Sequence, residues 1–222
     1  MEKQVAIVGA GISGLLVCKY CLSKGFNPIV FDLEPDIGGV WLKTMKTTSL
    51  QETTDLYNFS DFPWPDSLLG HFPTQQQVME YLRSYANRFD LMPHIKLQSR
   101  VEGISYDGPS SSQTWSLWNG IGQSSKGKWS VTVNDLKTAT TQVYVVDFVI
   151  LCLGRFKDIP NIPQFPVGNG PEVFCGKAIH SMEYATMDHD EAAAFVKGKK
   201  VVVVGFGKTG LDIARECSSV NG

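Results

Sequence analysis

Short runs of small and β-branched apolar residues recur along the chain, separated by helix-forming or turn-rich stretches, which is the texture of alternating strands and helices. Val5-Ala6-Ile7-Val8 is too short and too evenly apolar for an amphipathic helix and predicts a buried strand. Pro28-Ile29-Val30-Phe31 predicts a second, so residues 1 to about 34 read as a strand–helix–strand unit that begins a parallel sheet. From Pro35 to Pro73 the period disappears. Gly, Thr, Pro and aromatic residues dominate there, as in Asp36-Ile37-Gly38-Gly39-Val40-Trp41 and Phe59-Ser60-Asp61-Phe62-Pro63-Trp64-Pro65, and long irregular segments of this kind commonly carry function. A packing helix follows, with Thr74 and Gln77 as its capping box and Val78, Leu82, Tyr85 and Phe89 on one stripe.

The alternation of Ile95, Leu97, Ser99 and Val101, and later of Trp129, Val131 and Val133, predicts antiparallel strands around a Gly/Ser-rich loop from Asp107 to Lys128. Val143 to Leu153 is a nearly continuous apolar run broken by Asp147 and predicts one strand buried on both faces, ending at Gly154. Proline-rich sequence from Asp158 to Pro171 reads as a linker, and Lys200 to Val204 predicts another strand. The expected division is a first domain over residues 1–157, a linker over 158–198 and the start of a second domain over 199–222.

Two of the predicted strands run directly into glycine fingerprints, Gly9-Ala10-Gly11-Ile12-Ser13-Gly14 and Gly205-Phe206-Gly207-Lys208-Thr209-Gly210, and each fingerprint opens a helix. This is the context of a dinucleotide-binding turn. The first glycine makes the turn, the second admits backbone close to a pyrophosphate, and the third lets helix and strand pack closely. The pyrophosphate meets free N–H groups at the helix N-terminus. The first copy has the second feature such a site needs, because Asp32 closes the second strand 18 residues after Gly14, where an acid can accept hydrogen bonds from ribose hydroxyls. Gly154 suits either close approach of a strand end to a cofactor or a simple strand-ending turn.

Composition narrows the classes. Lys plus Arg 20 against Asp plus Glu 22, a formal charge of −2, leaves no basic block for nucleic acid or an anionic membrane. No apolar run approaches the roughly 20 residues that span a bilayer, and the first strand begins too near Met1 for a secretory signal, so the cytoplasm is the expected compartment. Five cysteines at irregular spacing suit a reducing environment. Cys18 and Cys21 form a C-x-x-C, either a redox dithiol or two small residues on one packed helix face; their place behind the phosphate turn favours packing. The four histidines, His71, His94, His180 and His189, make no zinc spacing with each other or with the cysteines, so no metal is expected.

Between the fingerprints, Phe174-Cys175-Gly176-Lys177-Ala178-Ile179-His180-Ser181-Met182-Glu183-Tyr184 matches F-x-G-x-x-x-H-x-x-x-Y. With both fingerprints, Asp32 and Gly38-Gly39-Val40-Trp41 in order, the chain resembles the N-terminal part of the flavin-containing monooxygenases. Leu50-Gln51 and the Phe59–Pro65 stretch are most similar to the plant branch that includes N-hydroxypipecolate-forming enzymes. The resemblance implies an α/β fold: a Rossmann-like FAD-binding domain, with a parallel sheet and an antiparallel β insertion, followed by the start of a Rossmann-like NADPH-binding domain. It implies FAD at Gly9, Ala10, Gly11, Ile12, Ser13 and Gly14, with Asp32 on its ribose and Gly39, Val40 and Trp41 near the flavin. NADPH would lie at Gly205, Gly207, Thr209, Gly210 and Asp212.

In that family NADPH reduces the flavin, O2 adds at C4a, and the hydroperoxide oxygenates a soft nitrogen or sulfur nucleophile in a small molecule. The protein supplies orientation and shelter from water. His180 is then a packed, hydrogen-bonded residue at the junction of the nucleotide-binding regions. Tyr184 distinguishes the motif from the Baeyer–Villiger form, which ends in Trp. Two departures stand out. Gln51 takes the place of an active-site asparagine; it can offer an amide on a longer arm to nicotinamide ribose or flavin, or be a polar loop residue. The chain also lacks the family's returning sequence after the second nucleotide region, so a non-catalytic product that at most binds FAD, or that associates with a full-length relative, is the competing expectation. A flavin disulfide reductase would need Cys18 and Cys21 as its dithiol.

Overall fold

A computed structural model describes residues 3–108, 127–155 and 160–222. It contains mixed α/β structure in two compact units, residues 1–42 with 82–155 and residues 43–81 with 156–222. Most of the Asp107–Lys128 stretch, and the predicted domain boundary at 157, lie outside the described residues.

In the first unit, β1 (Gln4–Val8), α1 (Ile12–Ser23) and β2 (Asn27–Phe31) form the expected strand–helix–strand unit. β1 pairs in parallel with β2 on one side and β7 (Phe148–Leu151) on the other, and β3 (Ile95–Lys96) adds to β2, giving the order β3-β2-β1-β7. β4 (Ser99–Asp107), β5 (Lys128–Asp135) and β6 (Thr140–Val146) make an antiparallel sheet. Ala6 and Phe31 from the parallel sheet pack on Val131, Val133 and Val146. The Phe31 and Tyr144 rings lie 4.8 Å apart.

Two strand expectations are corrected. The alternation from Ile95 to Val101 is not one antiparallel strand: Ile95 and Lys96 join the parallel sheet, and Gln98, at φ 51°, turns the chain before β4 begins. Nor is Val143 to Leu153 one buried strand. It divides at Asp147 between the antiparallel and parallel sheets, and Val143 and Val145 are more than half exposed. Asp147 makes the corner because its backbone and carboxylate both act there. Its N–H donates to the Gln4 carbonyl at 2.9 Å, while its carboxylate accepts from the Gln4 N–H at 2.9 Å and from Lys128 Nζ at 2.5 Å.

In the second unit, aromatic packing orders the irregular segment. The Trp64 ring stacks on Tyr81 at 4.0 Å, and the Tyr81 hydroxyl accepts from the Phe59 N–H at 2.8 Å and donates to the Phe62 carbonyl. The helix α2 (Gln75–Arg88), whose residues from Leu82 on belong to the first unit, begins with the predicted reciprocal cap: the Thr74 N–H donates to Gln77 Oε1 at 2.8 Å, and the Gln77 N–H to Thr74 Oγ1 at 3.3 Å. Val78, Leu82 and Tyr85 on its stripe are fully buried. Three further helices, α3 (Ser181–Thr186), α4 (His189–Val196) and α5 (Lys208–Asn221), share a core of Met45, Tyr184, Ala192, Val196, Ile213 and Cys217. The strand expected over Lys200–Val204 belongs to neither sheet. The run keeps its alternation, with Val203 packed inward and Val202 and Val204 at 81% and 86% exposure, but a strand is completed only by a ladder partner.

Lys128, then the Gln4 amide, hold the Asp147 carboxyl below the usual carboxylate range. A lowered folded pKa stabilises fully above the unfolded value near 3.8 and is lost as pH falls through the folded one. Asp147→Asn should therefore cost about 1 kcal/mol at neutral pH, given partial solvent screening, and flatten the loss of stability below pH ~4. Urea unfolding at pH 7 and pH 3 measures both; equal stability of the two proteins at pH 7 would mean that the charge does not hold the corner.

Candidate functional site

The first fingerprint forms a turn that only glycine satisfies at two of its three positions. Gly9 has φ +109°, and a Cβ there would lie 2.3 Å from the Cys152 carbonyl oxygen on the neighbouring strand's extension. At Gly14 a Cβ would lie 1.8 Å from the Gly9 carbonyl oxygen, so α1 crosses its own strand without room for a methyl group. Gly11 differs. It caps α1 in extended conformation, φ −75° and ψ −171°, with no side-chain cap, and a Cβ there would meet nothing nearer than Gly39 Cα at 3.5 Å.

Gly39 faces it from a 3-10 turn over Gly39–Leu42, with φ +59°. That turn is fixed by the Gly38 N–H donating to the Ala10 carbonyl at 3.0 Å and, through the preceding residues, by Arg83 paired to Asp36 at 2.6 Å. Ile12 and Ser13 begin α1 beside Gly11. Val40 is half exposed and Trp41 buried. Asp32 serves the turn itself: one carboxylate oxygen accepts from the Ala10 N–H at 2.5 Å and the other from the Glu34 N–H at 2.8 Å, leaving a lone pair on each. Gly154 has φ +74° with open space around it, so its backbone alone calls for glycine. Gln51 is exposed in the second unit.

Burial pushes the Cys18 thiol up to about 12, with Cys21 adding to it, and raises Cys21 and Cys152 as well. Thiols so held in the protonated form are poor nucleophiles, which favours packing over dithiol chemistry.

The second fingerprint repeats the geometry in the other unit. Gly205 has φ +132°, Gly207 caps α5, and a Cβ at Gly210 would lie 2.7 Å from the Gly205 carbonyl oxygen. Gly205 and Gly207 have open space around the position of a side chain, and Thr209 is exposed. Asp212 is engaged within the protein: Lys208 Nζ reaches its two oxygens at 2.5 and 2.6 Å, and the Thr48 hydroxyl donates to it at 3.0 Å. The sequence reading missed Lys208; its i, i+4 spacing to Asp212 was the available signal.

His180 caps α3: its Nδ1 accepts from the Met182 N–H at 3.2 Å, and the Glu183 carboxylate accepts from the His180 N–H at 3.2 Å. His180 is thus hydrogen-bonded, as expected, and half-buried. Among the described residues no group of three or more His, Cys, Asp or Glu side chains comes together as a metal site, and no helix is long and apolar enough to cross a membrane.

The sequence matches the family described as Flavin-binding monooxygenase-like over residues 2–221. It is 39% identical to the probable flavin-containing monooxygenase 1 of Arabidopsis thaliana over 99% of this chain and 42% of that protein. The chain spans less than half the length of the curated plant relatives it matches. Among solved structures, Tmm from Pelagibacter sp. strain HTCC7211 superposes with TM-score 0.74 at 19% identity, over 98% of this chain and 49% of the other. OTEMO in complex with FAD and NADP superposes with TM-score 0.67 at 20% identity, over 99% and 37%. These likenesses show the fold.

The two glycines of the first turn should separate in experiment. Gly14→Ala forces backbone against backbone and should cost more than about 3 kcal/mol, whereas Gly11→Ala should cost less than about 1 kcal/mol, its conformation being open to alanine. Thermal unfolding of the two variants tests this, and equal melting temperatures would contradict the close crossing.

Proposed function

The chain belongs to the flavin-binding monooxygenase-like family, and from that premise we propose that it binds FAD at the Gly9–Gly14 turn and NADPH at the Gly205–Gly210 turn, as part of a monooxygenase acting on a soft nitrogen or sulfur nucleophile in a small molecule. The observation that carries the reading is Gly11. Its backbone is one that any residue adopts, and a Cβ there meets no protein atom within 3.5 Å. The folded chain therefore does not require glycine at that place; an approaching pyrophosphate does. Ala10, Ile12 and Ser13 complete the turn, with helix N–H groups of α1 opposite the phosphates. Asp32 keeps one lone pair per oxygen for ribose hydroxyls, and Gly39, Val40, Trp41 and Gly154 border the site.

When bound, FAD reduced by NADPH supplies the two electrons that accompany insertion of one oxygen atom from O2. The residues of this chain hold and orient the nucleotides. Gly205, Gly207, Thr209 and Gly210 receive the NADPH pyrophosphate. Asp212 acts indirectly, by fixing Lys208 at the helix start. Gln51 offers an amide to nicotinamide ribose or flavin. The domain assignment proposed with this function is FAD binding over residues 1–157 and NADPH binding from residue 199. A second reading, FAD binding without turnover by NADPH, is favoured by one observation: among the described residues Val201–Val204 has no ladder partner beside the second fingerprint.

Gly11→Val should abolish FAD binding while leaving the fold intact, as read by flavin absorbance after desalting and by circular dichroism. Wild-type flavin occupancy in the variant would remove FAD from this turn. Asp32→Ala should weaken FAD roughly ten- to a hundredfold, the worth of a hydrogen bond to a charged acceptor, and should also lower stability, since Ala10 and Glu34 lose their acceptor. Bleaching of bound flavin on adding NADPH supports the monooxygenase reading; bound flavin that stays oxidised supports the second.

A further inference from the structure

The core-facing side of the antiparallel sheet changes character toward one end. The register sets Val131 opposite Tyr144, Val133 opposite Gln142 and Asp135 opposite Thr140, so these six side chains share one face. Val131 and Val133 pack on Ala6 and Phe31, whereas Asp135, Thr140, Gln142 and, opposite Asp135 on β4, Ser99 are polar. Positions facing only a core would be apolar, because a polar group buried without a partner costs free energy. Here they line a cavity of about 290 Å³, to which β3, Leu97 and Lys137 of the β5–β6 turn also contribute. Small-molecule sites begin at roughly that size, about 300 Å³.

The walls are held by the protein's own backbone. The Leu136 N–H donates to the Gln98 carbonyl at 2.8 Å, the Gln98 N–H to the Glu34 carbonyl at 2.9 Å and the Ser99 N–H to the Asp32 carbonyl at 2.8 Å. Asp135 folds the turn: one carboxylate oxygen accepts from the Lys137 and Thr138 N–H groups at 2.8 and 3.2 Å, which leaves the other oxygen to accept elsewhere. The Tyr144 hydroxyl donates to Gln142 Oε1 at 2.8 Å, so the Gln142 NH2 group is what that amide has left to offer. Among the described residues, neither the Lys96 nor the Lys137 ammonium has an ion pair or a hydrogen bond. The charged side chains lining the cavity are therefore two unpaired cations and one anion, and the anion is already engaged by backbone N–H groups.

We propose that this cavity binds a small phosphate monoester, with Lys96, Lys137 and the Gln142 amide serving the phosphate, the free Asp135 oxygen accepting from a ligand hydroxyl, and Val133 and the Tyr144 ring against the carbon skeleton. A phosphate monoester carries about two negative charges at neutral pH, as many as there are unpaired ammonium groups, and lysine serves phosphate as a compact point charge. A single carboxylate leaves one ammonium unmatched. The site stands whether or not either fingerprint binds a dinucleotide.

An amide-resolved NMR titration of the 222-residue chain with glycerol phosphate, at constant ionic strength because salt screens such contacts, tests the site. Saturable shifts are expected at Ser99, Lys137, Thr140 and Gln142, with or without FAD present. Lys96→Gln and Lys137→Gln should each weaken the binding about fivefold, the worth of one partly exposed charge pair, while Lys24→Gln, at the exposed C-cap of α1, should leave it unchanged. Glycerate, with a carboxylate in place of the phosphate, should bind more weakly than glycerol phosphate. Shifts confined to Gly9–Gly14 or Gly205–Gly210 overturn the proposal, since the phosphate would then be held only at the fingerprints. Equal weakening by Lys24→Gln overturns it as well, by reducing the effect to overall charge, and glycerate bound as tightly as glycerol phosphate removes the phosphate from the assignment. If the chain binds no FAD while the shifts at Ser99 and Gln142 remain, the nucleotide reading fails and the cavity site holds.

Discussion

The approach of a helix to the end of the apolar run that precedes it, closer than any side chain permits, is the constraint on which both candidate sites depend. At Gly14 a single added carbon would lie 1.8 Å from the Gly9 carbonyl oxygen, and at Gly210 one would lie 2.7 Å from that of Gly205. Each crossing sets the first helical turn directly over the end of an apolar run. The helix N–H groups that no intrahelical carbonyl can satisfy are thereby presented at the turn. Side chains are absent where the turn is tightest, so backbone defines the surface an anion would meet.

Around these crossings, acidic side chains are spent on architecture. Asp32 accepts from the Ala10 N–H within the turn, Asp36 is paired with Arg83 behind Gly38, and Asp147 makes the corner between two sheets. Asp212 is held by Lys208 and Thr48, and buried Glu216 by Thr47. Such groups are costly to bury unpaired, and here each is hydrogen-bonded or ion-paired. Their common effect is to hold glycine-rich backbone in one place, which local sequence alone could not do because glycine is the most permissive residue.

What the sequence made legible follows the range of the interactions. Both fingerprints, α1, the Thr74–Gln77 cap and the parallel β1–β2 pair were readable because each depends on residues a few positions apart, or on the two-residue and 3.6-residue periods. The Asp147 corner was not. Its break depends on Gln4, 143 residues away, and on Lys128, and a polar residue inside an apolar run reads equally as an interruption or as a divide. Val201–Val204 had strand composition, yet composition cannot supply the neighbour that makes a ladder. At the candidate site, the position of Asp32 just after β2 was legible, while its bonds to the Ala10 and Glu34 amides depend on how the turn folds back over the strand end. The exposure of Gln51 likewise belongs to the path of an irregular segment with no period to read.

The glycines also differ in what they reveal. At Gly9, Gly14 and Gly210 the protein itself excludes a side chain, so their presence speaks for the fold and would be required in a turn that bound nothing. Gly11 and Gly207 are under no such compulsion: both sit in extended backbone at a helix cap, φ −75° and φ −81°, with no protein atom in a clashing position. A residue with a hydroxyl or carboxylate would cap either helix better. Keeping glycine there in both copies forgoes that stabilisation and leaves the helix ends bare, an arrangement that makes physical sense where a ligand's phosphates supply the missing acceptor. The middle glycine of each fingerprint is thus the position at which the fold itself makes no demand for glycine.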